Sequence, residues 1–249
     1  MRKIVVLVVI LFVSVTAQWA DNCLEVAQKI WTLQNQIVNQ SFQQLPVGAW
    51  AQYGNLKAVY LGEQLSPKTG MKLHVIEISG GPVGQIWYKL TPKDVTYQGK
   101  TLRFWTLEPM EAYVLMGKKV FYISKATIET FMQMRGSYWS TVLEEGTILS
   151  PPDCNHVPEI TETLYTFPGN KRVKATVITS RENGGQLYCS PEVPFGMIQT
   201  VSSGGQVGLK LTDFGLEGGQ AKISRKMALA AETMPFFPGG VVIKKRHKE

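Results

Sequence analysis

Apolar positions recur with helical spacing at the start of the chain and with a period of two after Pro46. From Asn22 to Leu45 the residues Leu24, Ala27, Ile30, Trp31, Ile37 and Val38 repeat at helical intervals among Gln and Asn, which predicts one amphipathic helix with Asn22 as N-cap and Pro46 as its stop. Short alternating runs then predict strands over Ala49–Glu63, Met71–Ser79, Gly84–Thr91, Lys100–Glu108, Ala112–Leu115 and Lys119–Ser124. A second group follows over Lys171–Arg181, Gln186–Ser190, Met197–Ser202, Gln206–Phe214 and Ala221–Leu229. Turn residues such as Pro67-Lys68-Thr69-Gly70 and Glu182-Asn183-Gly184-Gly185 separate the runs. Between the groups, Ile128, Phe131, Met132, Tyr138, Trp139, Val142 and Leu143 share a helical face and mark a helical insertion over Ser124–Gly146. The expected fold is mainly β with α: a curved antiparallel sheet wrapping an N-terminal helix and a central helical insertion.

Strand alternation carries the functional clue. Ile86, Tyr88 and Leu90 face one way and Gln85, Trp87 and Lys89 the other; Leu102 and Phe104 oppose Arg103, Trp105 and Leu107. Alternation therefore assigns Trp87 and Trp105 to one face, mixed with long cations, where a solvated sheet face would be polar. Two explanations stay open: the indoles pack against the predicted helices, or they line an apolar ligand site with Phe131, Met132 and Trp139. Phe236 and Phe237, between Pro235 and Pro238-Gly239-Gly240, cannot both enter a core by strand alternation. They either cap the core or insert into a ligand site, a partner or a membrane interface.

The chain begins with Arg2 and Lys3, an apolar run over Ile4–Val15 and the small-residue ending Val15-Thr16-Ala17. This is the pattern of a secretory signal peptide, and a run of 12 residues is too short for a bilayer-spanning helix. Residues 1–20 are expected to be removed, leaving a single domain over 21–240, a basic tail over 241–249, and a periplasmic or secreted location. Without Arg2 and Lys3 the charge falls from +7 to +5, with Lys244, Lys245, Arg246 and Lys248 as the one dense cluster. That distribution argues against nucleic acid as a partner and leaves the tail as a solvated end or a peripheral contact with an anionic membrane. In an oxidising compartment Cys23, Cys154 and Cys189 allow three single pairings. Cys154 with Cys189 is the expected disulfide, since both fall in loop or strand-end sequence of the second half.

Catalytic chemistry is sparse. His74 lies in a strand, His156 beside Cys154, and His247 in the basic tail; G-x-S-x-G, G-x-x-x-x-G-K-[ST] and H-E-x-x-H are absent from the sequence. Glu144 with Glu145 and Glu159 with Glu162 read as solvated charges. Met132 and Met134 could hold Cu(I), but the other methionines are scattered. No metal, cofactor or enzymatic activity is expected.

The segment Gly48-Ala49-Trp50-Ala51-Gln52-Tyr53, and Pro191-Glu192-Val193-Pro194-Phe195-Gly196-Met197-Ile198 followed by Leu209-Lys210-Leu211-Thr212-Asp213-Phe214-Gly215, resemble exported bacterial proteins of the unclosed β-barrel type. The periplasmic lipoprotein-localisation chaperones are the named members of that superfamily. The resemblance implies a non-enzymatic carrier or sensor that takes an acyl chain, lipid or lipoprotein into a cavity between sheet and helices. The alternative is a cell-envelope protein-interaction module without a small-molecule ligand, whose interior is filled by its own side chains.

Overall fold

In the computed structural model the described residues are 22–133 and 149–234. The expected signal peptide, the segment containing Trp139, both Phe236 and Phe237, and the basic tail lie outside them. Helix α1 spans residues 22–38 and ends in a π-helical turn, Asn39–Gln43, closed by Gln44 N–H donating to Asn39 O at 2.9 Å. Strands β1 (Trp50–Tyr53), β2 (Leu56–Leu65), β3 (Lys72–Ser79), β4 (Val83–Tyr97), β5 (Lys100–Met116) and β6 (Lys119–Ser124) form the first meander, followed by helix α2 (Lys125–Gln133). The second meander is β7 (Glu159–Thr166), β8 (Arg172–Thr179), β9 (Gln186–Cys189), β10 (Met197–Val201) and β11 (Val207–Gly215). A short helix α3 (Arg225–Leu229) and strand β12 (Glu232–Thr233) follow.

All twelve strands make one unclosed sheet in the order β12-β6-β5-β4-β3-β2-β1-β11-β10-β9-β8-β7. The meanders join where β1 pairs antiparallel with β11, and β12 alone runs parallel, beside β6. The expected curved sheet around an N-terminal helix is therefore observed, with corrections at its elements. Ala49–Glu63 is not one strand but the β1–β2 hairpin, turning at Gly54-Asn55 with Gly54 at φ +57. The runs over Lys100–Glu108 and Ala112–Leu115 are one strand carrying a bulge. β7 has no counterpart among the predicted strands, because Glu159, Thr161, Glu162 and Thr163 are exposed on an edge and show no apolar alternation. Ala221–Leu229 is not a strand; Ser224 accepts from Met227 N–H at 3.3 Å and caps α3.

One edge of the sheet explains the position of α1. Of β5, β6 pairs only with Glu111–Met116, so among the described residues the longer N-terminal part of β5 has no strand on that side. Helix α1 takes the place of a strand there. Trp31 Nε1 donates to Arg103 O at 2.8 Å; the Gln34 carboxamide accepts from Trp105 N at 2.7 Å and donates to Trp105 O at 2.8 Å. The same Gln34 Nε2 donates to Leu149 O at 2.6 Å, and its side chain is fully buried. Buried backbone groups left unpaired are expensive, so a fixed amide mimicking a peptide group is an economical cover for this edge.

The two halves of α1 pack on opposite faces of β5. Its first half, with Cys23, Val26, Ala27, Ile30 and Leu33, shares a core with Tyr97, Leu102 and Phe104 and with Ile160, Ile178, Leu187 and Cys189 from the far end of the sheet. Val38 and Phe42 join Tyr60, Ile76, Ile86, Tyr88, Leu107 and Ile128. The helix thus crosses the strand edge at Gln34 and fills the opening between the two sheet ends. Gly196 marks another close approach: it sits at φ +73, and a Cβ there would lie 2.4 Å from Ile37 Cγ2.

The opposite face of the sheet is covered by residues 216–234, which run over it as a strap. Ile223, Ala228 and Ala231 pack on Leu73, Val75, Trp87, Tyr113 and Val120. The buried Glu77 carboxylate fastens the strap, accepting from Lys222 N at 2.7 Å, Ile223 N at 3.0 Å and Gln85 Nε2 at 3.1 Å.

The disulfide differs from expectation. Cys154 is bonded to Cys23, not to Cys189, and ties the first turn of α1 to the loop that precedes β7. Cys189 is a buried thiol in the core beneath α1, where desolvation pushes its pKa up to about 12. Spacing within the second half favoured the shorter loop, whereas the fold brings the N-terminus of α1 against that loop. Peptide mapping of the mature protein should give a Cys23–Cys154 cross-link, with Cys189 resisting alkylation until denaturation. Replacing Cys23 and Cys154 with Ser should lower stability by about 5 kcal/mol, the chain-entropy expectation for so long a loop. Gln34→Ala should lower it by roughly 2–4 kcal/mol in urea denaturation, and Gln34→Glu should also destabilise because a carboxylate cannot donate to Trp105 O and Leu149 O.

Candidate binding groove

The solvent side of α1 and the β5 edge it covers form an open groove of about 460 Å³, lined by Trp31, Thr32, Asn35, Gln36, Val38, Asn39, Gln43 and Trp105. Helical geometry builds it: Trp31, Asn35 and Asn39 follow one another at intervals of four, with Thr32 and Gln36 alongside. The π-helical turn extends this surface to Gln43 while turning Phe42 into the core. Both indoles are held by their ring nitrogens. Trp31 Nε1 is bound to Arg103 O, and Trp105 Nε1 donates to Asn35 Oδ1 at 3.1 Å. With the polar handle of each ring committed, what the half-buried indoles bring to the groove is aromatic surface.

Among the described residues the lining is uncharged. The nearby Arg103 is engaged in a bidentate pair with Asp94, at 2.8 and 3.0 Å, which holds the Asp94 carboxyl below its ordinary range. Beneath the π-helical turn the Tyr60 hydroxyl lies between Phe42 O (3.2 Å) and His74 Nδ1 (2.9 Å), and the Phe42, Tyr60 and His74 rings pack together. Burial pushes Tyr60 up to about 12 and, outweighing Glu63, lowers His74 below the usual histidine range. His74 therefore fastens the end of α1 to β3 as a neutral ring. His156, exposed beside the disulfide, contacts Asp153 at 3.3 Å.

Only one of the residues expected to line a ligand site meets this groove within the described side chains. Trp105 lines it. Trp87 does not: it is 2% exposed and lies under the strap on the opposite face. The reason is the register of the β4–β5 hairpin: Tyr97 pairs with Lys100, which sets Trp105 opposite Pro92, five residues from Trp87 along β4 and therefore on the other face. Phe131 and Met132 belong to the last turn of α2, but their side chains, like all of Trp139, Phe236 and Phe237, lie outside the described residues.

Trp31, Asn35, Gln36, Asn39 and Gln43 were not among the expected site residues, although the sequence carries a signal for them. The 27 residues from Ile30 to Leu56 contain no Asp, Glu, Lys or Arg, where a chain with 18% charged residues should place about five. A solvated helix face is normally charged, so a face of carboxamides and indoles marks a surface adapted to something other than water.

The buried acids lie away from this groove. Glu111 is fully buried under the strap; its Oε1 accepts from Tyr113 at 3.4 Å, while its Oε2 and Trp87 Nε1 have no partner among the described residues. Burial raises the Glu111 pKa, against the lowering influence of Ser66, Tyr113 and Lys68. A raised carboxyl pKa means that the folded state binds the proton more tightly than the unfolded state. Its contribution to stability therefore falls as pH rises from the ordinary value of 4.5 through the folded value. Glu111→Gln should flatten this part of the stability–pH curve and raise stability at pH 8; chemical denaturation from pH 4 to 8 measures both. An unchanged slope would assign the pH dependence to other groups.

No known protein family, no curated protein and no solved structure matches the chain.

Proposed function

We propose that this chain is an exported, non-enzymatic binding protein of the bacterial cell envelope, and that it takes its ligand in the groove formed by α1 and the edge of β5. The observation that carries this reading is the pair of tethered indoles, Trp31 and Trp105, set among Thr32, Asn35, Gln36 and Asn39. Rigid aromatic surface beside uncharged donors and acceptors is an arrangement of recognition sites, and the volume falls within the range of ligand pockets. The signal pattern of residues 1–20 supports export, and the Cys23–Cys154 disulfide suits an oxidising compartment. Among the described residues His74 at the end of α1 and Glu77 and Glu111 under the strap have structural work away from the groove.

An acyl-chain carrier of the chaperone type needs enclosed apolar space. Val38, Phe42, Tyr60, Ile86 and Leu107 pack directly on one another between helix and sheet, which favours the open groove as the ligand site. A second reading, a protein-interaction module, draws support from β7, an exposed edge strand whose Leu164 is 55% exposed.

The two readings separate by NMR of the mature protein labelled with ¹⁵N at tryptophan and at the amides of β7. Fractionated envelope extract should shift the indole signals of Trp31 and Trp105 and leave Trp87 in place, and Trp31→Ala should abolish the Trp105 response. Shifts confined to β7 would contradict the groove and support the interaction module.

A further inference from the structure

Resting on the reading of the groove as a ligand site, we infer that its ligand is a neutral saccharide chain. The lining excludes by its chemistry the ligands that are recognised through charge. Among the described residues none of the lining is ionisable, and the guanidinium of Arg103, whose carbonyl accepts from Trp31, is bound to Asp94, so phosphate, nucleic acid and anionic headgroups would lose water without gaining a counter-charge from them. An acyl chain fits no better. Among the described residues Val38 is the single aliphatic residue of the lining, and insertion of a methylene chain would strip water from Asn35, Gln36, Asn39 and Gln43 without replacing their hydrogen bonds.

A sugar matches both kinds of surface. Every carboxamide offers an acceptor oxygen and two N–H donors, and the Thr32 hydroxyl both donates and accepts. Sugar hydroxyls have the same dual character, so a ring can be satisfied in several orientations along a row of such groups. The C–H face of a pyranose is apolar and flat, and it packs on an indole without requiring the ring N–H. In this groove the ring nitrogens are already committed, to Arg103 O and to Asn35 Oδ1, which fixes the indoles and leaves aromatic surface for the ligand. Because the groove is open and follows the helix from Trp31 to Gln43, it suits a segment of a chain rather than an enclosed monosaccharide.

The test is tryptophan-indole NMR and calorimetry on the mature protein with its disulfide intact. The probes are chitohexaose, cellohexaose and maltohexaose as neutral chains, hexagalacturonate as an anionic chain, and palmitate as an acyl chain. The expected result is that at least one neutral hexasaccharide shifts the Trp31 and Trp105 indole signals, and that Asn39→Ala with Gln43→Ala weakens it by about tenfold. These two exposed side chains make no hydrogen bond to the core among the described residues, so the double variant should fold, as unchanged far-UV circular dichroism and an unshifted Trp87 signal would verify. Palmitate or hexagalacturonate alone shifting Trp31 and Trp105 would overturn the saccharide while keeping the groove. A neutral saccharide that binds without moving either indole would overturn the groove itself, and no binding of any neutral chain would overturn the inference.

Discussion

The structure depends on how the unpaired edge of β5 is satisfied. A strand that outruns its neighbour exposes a row of backbone donors and acceptors, and here that row lies against a helix that must be buried to complete the core. An apolar side chain at position 34 would orphan Trp105 N–H and C=O in a dry interface, a penalty of about 1–3 kcal/mol for each group. Gln34 answers both groups at once and reaches Leu149 O as well. Trp31 does the same for Arg103 O, two residues along the same edge. Helix and sheet are therefore joined by direction-dependent bonds as well as by apolar packing, which fixes where along β5 the helix crosses.

That crossing divides the labour between the two sides of the molecule. The buried side of α1 bridges both ends of the open sheet, and the Cys23–Cys154 bond secures its first turn. Its other side is left with carboxamides and indoles, held still by the same contacts that close the edge. Asn35 illustrates the coupling: it orients the Trp105 ring from a helix whose position is set one residue earlier, by Gln34. On the opposite face the strap performs the complementary task, with Glu77 binding its backbone and Ile223 plugging the surface over Trp87 and Tyr113.

Much of this architecture is legible in the sequence. Period-two alternation locates most strands of both meanders, and the spacing from Asn22 onward locates α1. What alternation misses has identifiable physical causes. β7 is an edge strand in which only Ile160 and Tyr165 reach the core, so its residues show no apolar alternation. The segment from Ala221 to Leu229 is a strap that turns into α3, burying Ile223 and Ala228 but leaving Ala221 and Leu229 exposed, so its apolar positions do not mark a strand. The hairpin register, which only the folded pairing reveals, sets Trp105 opposite Pro92, five residues from Trp87 along β4, and so separates the two indoles. The disulfide follows the docking of α1, a tertiary fact that no spacing encodes. The groove lay half in view: Trp105 stood out as an aromatic on a face expected to be polar, while Trp31 read as one more apolar position of a helix. The absence of charge from Ile30 to Leu56 was the stronger pointer, because exposed helix positions without charge need a reason.

Native-state hydrogen exchange at the Trp105 amide tests the central claim most directly. If Gln34 closes the β5 edge, this amide exchanges only through near-global unfolding in the native protein, and in Gln34→Ala it exchanges through a local opening while the amides of β3 keep their protection. Rapid exchange of Trp105 in the unmodified protein, or unchanged protection in Gln34→Ala, would contradict it.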